Sequence, residues 1–295
     1  MPPRFDMYTL QLFVAIIEEG SIAAAAEREH IAASALSKRL SELERTLGLP
    51  LVIRRARGVE PTDAGRTLVR GARNLLHHAG DLSDELNAYS QGTRGHVRVA
   101  ANLSSITQFL PAELKQFLRQ YPDVEVDLDE MVSADVTRAV AENSADIGIY
   151  TQADQQYGLK TYAYHKDCMA LIAPQDHPLS QKKSAAFLDT LKFEHVGMHR
   201  GSAANNLLVR EASAADQTLK LKFQVTSYDA LVSMVRAGLG IGIMPVNTIA
   251  LYACADVRVI PLTDGWASRQ LKLCVRPDET LSAAAQALLN HLIQE

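Results

Sequence analysis

The sequence predicts a mixed fold: a small all-α head with a two-stranded wing, one long coiled-coil helix, and a two-lobed α/β body. Three observations predict it. Apolar residues follow helical spacing through most of the first ninety positions. A seven-residue apolar repeat then runs from Leu68 to Tyr89. From His96 onward, short apolar runs alternate with amphipathic segments, as in α/β units.

The bulk properties agree with several folded units. A chain of 295 residues exceeds the roughly 100–200 typical of one domain. Hydrophobic residues make up 47% and charged residues 22%, ordinary for a folded protein and unlike a disordered one. The net charge of −4 conceals an asymmetry. Between Arg28 and Arg73 stand ten basic and five acidic side chains, a surplus of five, so the remainder carries −9. That pattern joins a basic contact module to a body that avoids phosphates. Three cysteines, Cys168, Cys254 and Cys274, are too few and too far apart for a disulfide framework or a close-spaced metal site, and no cofactor motif is present. Arg4, the run Leu10 to Ile17 and the cluster Ala23 to Ala26 imitate a signal peptide. Glu18 and Glu19 interrupt it, and no run reaches the ~18 apolar residues of a membrane span. Cytoplasm is the expected location.

In the head, Leu10, Phe13, Val14 and Ile17 mark a first helix that Gly20 ends. Ser21 caps a second, alanine-rich helix from about Ile22 to Glu29. His30 and Ile31 make a turn. A third helix, from about Ser34 to Leu47, buries Leu36, Leu40, Leu43 and Leu47 and presents Ser34, Ser37, Lys38, Ser41 and Arg45 outward. Two short helices about a tight turn, the second showing hydroxyls and cations, suit a helix-turn-helix that enters the major groove; a three-helix packing unit gives the same pattern. Leu51 to Ile53, the cations Arg54, Arg55 and Arg57, and Gly58 then form a wing that can follow a phosphate backbone. Thr62 caps the next helix, with Asp63 in its first turn. Along that helix Leu68, Ala72, Leu75, Ala79, Leu82, Leu86 and Tyr89 form the stripe of a dimerising coiled coil, which would present two heads to a dyad-symmetric DNA site. Packing onto the chain's own C-terminal region is the alternative. Gly92 and Gly95 end the helix.

The run GSIAAAAEREHIAASALSKRLSELERTLGLPLVIRRARGVEPTDAG resembles the N-terminal signature of LysR-type transcriptional regulators, and the heptad helix behind it fits that family. The resemblance implies a winged helix-turn-helix DNA-binding domain at 1–61, a linker helix at 62–92 and an effector-binding domain at 93–295. It further implies that Ser34, Ser37, Lys38 and Arg39 face double-stranded promoter DNA, with Arg54, Arg55 and Arg57 of the wing on its backbone. One position departs from the pattern. Ala33 stands where the family often has a glutamine, and an alanine can touch only a thymine methyl.

In the body, the strand Val97 to Ala101, a helix through Leu110, Leu114, Phe117 and Leu118, the strand Val124 to Leu128, the helix Asp135 to Ala141 and the strand Ile147 to Tyr150 form one α/β unit. A second begins near Tyr162 with the strand Met169 to Ile172. Its helices are Ser184–Leu191, Ser202–Ala214 and Ser227–Ala237, with strands around Val196, Phe223 and Ile243. The strand Leu271–Val275 and the helix Leu281–Ile293 return to the first unit. Lobe 1 is therefore expected at about 93–161 and 267–295, and lobe 2 at about 162–266. This layout resembles the family's effector domain, which has the fold of periplasmic solute-binding proteins, and GLGIGIMP (Gly238 to Pro245) matches a recurrent segment. The resemblance implies an inter-lobe site with Ser104, Ser133, Arg200, Ser202 and Thr226, suited to a carboxylate effector. Plain helix capping also explains the three serines. His195 and His199 would ligate a metal at i, i+4 only on a helix, and their segment reads as strand and loop.

The resulting reading is a transcription regulator acting as a homodimer or homotetramer. A two-lobed α/β enzyme is a rival, but no nucleophile elbow, phosphate loop or dinucleotide fingerprint is present. A redox-responsive regulator is a variant; the stretch from Gly201 to Asp216, where some members carry a cysteine pair, holds no cysteine.

Overall fold

The computed structural model describes residues 6–55, 58–91, 95–153, 157–252, 256–277 and 281–293. Two compact units result: Met1–Arg94 with Glu142–Ser144, and Gly95–Ala141 with Ala145–Glu295.

The first unit opens with α1 (Met7–Glu19), capped by the Asp6 carboxylate, which accepts the N–H groups of Tyr8 and Thr9. Gly20 ends it at φ +60°, a left-handed position that costs glycine little. α2 (Ile22–Arg28) follows the Ser21 cap, and after the turn α3 (Ala33–Leu47) begins one residue earlier than its sequence pattern suggests. Strands β1 (Val52–Arg55) and β2 (Gly58–Pro61) pair antiparallel as the wing. Glu44 of α3 anchors the wing by accepting the N–H groups of Leu51 (2.7 Å) and Val52 (3.3 Å). The Val59 N–H reaches the Gly20 carbonyl at 2.8 Å, and a Cβ on Gly58 would lie 2.3 Å from that same oxygen. The wing is thus fixed to the α1–α2 loop. α4 (Asp63–Gln91) completes the unit, with the Thr62 hydroxyl accepting the Gly65 N–H at 3.0 Å. Leu10, Phe13, Leu36, Leu40, Val69 and Ala72 close one core beneath the helices.

In the second unit β3 (Gly95–Ala101) lies between parallel β4 (Val124–Glu130) and β5 (Ile147–Tyr150). Three helices connect them: α5 (Leu103–Gln108), α6 (Leu110–Gln120) and α7 (Ser133–Ala141). The strand expected at Met169–Ile172 is the second half of a longer one, β6 (Lys160–Pro174). Next come α8 (Phe187–Thr190), β7 (His195–Met198), α9 (Ala203–Ala214), β8 (Leu221–Val225) and α10 (Tyr228–Arg236). The remaining elements are β9 (Gly242–Pro245), α11 (Val246–Leu251), β10 (Val257–Pro261), β11 (Ser268–Val275) and α12 (Ala283–Ile293). The main sheet runs β10-β6-β11-β5-β3-β4, with β9 also on β6, while β7 and β8 pair in parallel.

The first half of β6 pairs with β11 and its second half with β9 and β10. The chain therefore crosses between two lobes on β6 and again on β11. Each lobe has its own core, one around Val99, Phe117, Ile147 and Leu288, the other around Leu171, Phe187, Leu208 and Ile243. The helix expected over Ser184–Leu191 shrinks to one turn. Ala185 bridges to Leu262 and gives its N–H to Pro261, so the chain stays extended until Asp264 caps the Phe187 N–H at 2.7 Å. Among the described residues no helix is long and apolar enough to cross a membrane.

Candidate nucleic-acid interface and ligand cleft

On the head, α3 presents Ala33, Ser34, Ala35 and Lys38 to solvent. Its N-cap is Ala32, which has no side-chain acceptor; the Ala35 N–H turns to the Ala32 carbonyl at 2.9 Å, which leaves the Ala33 and Ser34 N–H groups for an external acceptor. Ser37 is half-buried and accepts a hydrogen bond from Arg54 Nη2 at 3.3 Å, joining the helix to the wing. Arg39 is engaged within the head: it donates to Asp6 Oδ2 (3.1 Å) and Thr9 Oγ1 (3.0 Å), and its guanidinium lies 5.1 Å from the Tyr8 ring centre. Arg55 pairs with Glu60 across the wing at 3.3 Å. Arg57 lies outside the described residues.

The heptad stripe divides. Leu68 and Ala72 pack into the head's own core, Ala72 being 1% exposed, whereas Leu75 (48%), Ala79 and Leu82 (57%) face solvent. The side chains of Leu86 and Tyr89 lie outside the described residues. An apolar groove of about 570 Å³ runs beside the stripe, bounded by Leu47, Leu49, Leu51, Leu68, Gly71 and Leu75.

In the second unit the carboxyl ends of β3 and β4, the loop after β7 and Tyr228 of α10 enclose a cavity of about 170 Å³ between the lobes. A sheet's carboxyl edge is where open α/β folds hold ligands. Ser104, Ser133 and Ser202 all line it. Ser133 Oγ accepts from Asn102 Nδ2 (3.2 Å) and from the Thr151 N–H (3.3 Å). Ser202 Oγ accepts the Asn205 N–H at 3.2 Å, capping α9. Both hydroxyl lone pairs are thereby engaged in part, and both hydroxyl protons remain available as donors. A second cavity of about 310 Å³ adjoins the first, sharing Ser133 and Ala203 and extending past Gln152, Asn206 and Arg210. Arg200 and Thr226 are exposed and line neither cavity, so the cation expected opposite the serines is not brought to them.

Sequence reasoning missed Tyr228, whose hydroxyl stands 3.1 Å from Ser104 Oγ and joins α10 to α5 across the cleft. Burial raises its pKa, although Arg269 acts in the opposite direction. Behind this contact Arg269 Nη2 donates to Ser104 Oγ at 3.4 Å, and Arg269 pairs with Asp167; both ions are buried. A lone Asp just ahead of the apolar run Met169–Ala173 was the signal for this pair. Nothing in the sequence separated Tyr228 from a core aromatic. His195 is buried on β7 and His199 sits in the loop beyond it. No group of three potential metal ligands occurs among the described residues. Cys168 is exposed on β6, Cys274 is buried with its thiol pushed up to about 12 by desolvation, and Cys254 lies outside the described residues.

A winged helix-turn-helix attached to a two-lobed ligand-binding domain defines a transcription regulator that carries its own sensor. Residues 7–66 match the family described as bacterial regulatory helix-turn-helix protein, lysR family, and residues 90–295 match the LysR substrate binding domain. The chain belongs to the LysR family of transcriptional regulators, and it is a regulator, not an enzyme. It is 27% identical over 292 residues to the HTH-type transcriptional regulator YbhD of Escherichia coli (strain K12), covering 98% of this chain and 92% of that protein. It is 26% identical over 287 residues to the RuBisCO operon transcriptional regulator of Allochromatium vinosum, covering 97% and 95%. Its fold is similar to full-length CbnR crystallised with its target DNA, at TM-score 0.69 and 21% identity, covering 98% and 99%.

Proposed function

We propose that this regulator acts in the cytoplasm as a homodimer or dimer of dimers on promoter DNA, and that a small carboxylate held between its lobes changes its DNA-binding geometry. In this reading α3 enters the major groove with Ser34, Ser37 and Lys38, while Arg54, Arg55 and Arg57 follow the phosphates. Arg39 orients α3 through its hold on Asp6 and Thr9. The exposed leucines of α4 and the groove beside them receive α4 of a second copy.

The observation that carries the sensing half is the cavity itself. Serines from both lobes meet there, two with hydroxyl protons directed to no acceptor among the described residues, and two helices of nine and twelve residues begin there. Hydroxyl donors and helix N-termini together favour an anion. A ligand touching both lobes shifts the populations of lobe arrangements, and so the placement of the heads in the oligomer. Ser104→Ala tests the sensing role: it should reduce the response of DNA binding to ligand and leave ligand-free DNA affinity intact. Equal loss of both would assign Ser104 a purely structural role.

A further inference from the structure

The charge inside the cleft narrows the ligand further. Glu130, at the end of β4, is the only Asp, Glu, Lys or Arg among the described residues that line the 170 Å³ cavity. It has no ion-pair partner among the described residues. The buried cation that touches the wall through Ser104, Arg269, is already matched by Asp167. Nδ1 of His199, in the same lining, is buried and has no hydrogen-bond partner. A simple carboxylate would meet the Ser133 and Ser202 donors but would also approach the exposed, unpaired carboxylate of Glu130 in the same lining. Like charges that close are costly once water is displaced.

We propose that the ligand of this cleft is an α-amino acid; the inference rests on the cleft being the effector site. Its carboxylate takes the hydroxyl protons of Ser133 and Ser202 where the two cavities join. Its ammonium faces Glu130, with His199 Nδ1 as a second acceptor. Its side chain extends into the 310 Å³ cavity toward Gln152, Asn206 and Arg210. Each charge then meets its complement, which neither a simple carboxylate nor a simple amine achieves.

Thermal shift and calorimetry on the full-length protein, with the twenty L-amino acids and their des-amino counterparts at about 10 mM, test this directly. At least one amino acid should raise the melting temperature, and its des-amino counterpart should raise it less. Glu130→Gln, at an exposed position, should weaken that amino acid about tenfold and leave the des-amino acid as tight or tighter. The proposal is overturned if no amino acid binds, if the amino and des-amino acids bind alike, or if Glu130→Gln changes nothing. Ala203→Trp fills the junction of the two cavities, its unliganded melting temperature reporting that it folds. If binding survives Ala203→Trp, the cleft is not the site; if Ala203→Trp abolishes binding but Glu130→Gln is silent, only the amino-acid inference fails.

Discussion

The residues that hold the second unit together at its crossover are charged. Asp167 is 3% exposed and Arg269 7%, and between them they orient Ser104 and bond to Gln108. Such a pair adds little net stability over an apolar replacement, but removing one member leaves a buried ion uncompensated. Asp167→Asn should therefore destabilise the protein by roughly 3–5 kcal/mol in denaturant unfolding; a loss under about 1 kcal/mol would mean that water reaches Arg269. His195 makes a second prediction. It is buried, gives its Nδ1–H to the Phe193 carbonyl at 3.1 Å, and has its pKa lowered to about 4 by desolvation. Above the ordinary histidine value both folded and unfolded states hold it neutral. As pH falls from about 6.5 toward 4 only the unfolded chain takes up the proton, so stability is lost across that window, by roughly 3 kcal/mol. Unfolding at pH 7.5 and 4.5 should show this loss, and His195→Asn should remove it.

At the scale of elements, the head was legible where a helix carries its own start or stop. Gly20 and Ser21 fall where the sequence places an end and a cap, and the leucine spacing of α3 needs no tertiary context, but α3 starts at Ala33, behind the capless Ala32 and one residue ahead of its pattern. The body was less legible where tertiary bonds override local pattern. Ala185, paired to β10, keeps a helix-like stretch extended, and β6 continues through polar residues Tyr162 to Asp167 because β11 lies along it. In the cleft, the serines were readable as serines at helix starts, but only Ser202 caps its helix; Ser104 lies inside α5 behind the Asn102 cap, and Ser133 accepts from Asn102 and Thr151. Their convergence, and the arrival of Glu130 and Tyr228 beside them, depends on the chain crossing twice between lobes. The heptad of α4 was visible, but sequence could not reveal that Ala72 belongs to the head's core while Leu75 and Leu82 stay exposed. The exposed part makes the prediction. α4 spans 29 residues, about 43 Å, and Leu82→Asp should weaken dimerisation about a hundredfold, read as a shift toward monomer mass in solution scattering. An unchanged dimer mass would place the interface elsewhere.

Across the whole molecule, charge is divided by task. The basic surplus lies in the stretch Arg28–Arg73 and the acidic excess in the rest of the chain, so the net charge of −4 does not describe the surface that carries α3 and the wing. The cations differ in availability: Arg39 and Arg55 have carboxylate partners, whereas Arg54 has none among the described residues and bonds to the Ser37 hydroxyl. The most direct test of the DNA-binding arrangement is the salt dependence of affinity for duplex DNA, wild type against Arg54→Ala. Affinity should fall steeply with salt, and Arg54→Ala should weaken binding to all sequences alike and lower the slope of log Kd against log salt by about one per head. An unchanged slope and affinity in Arg54→Ala would contradict the placement of the wing on the DNA backbone.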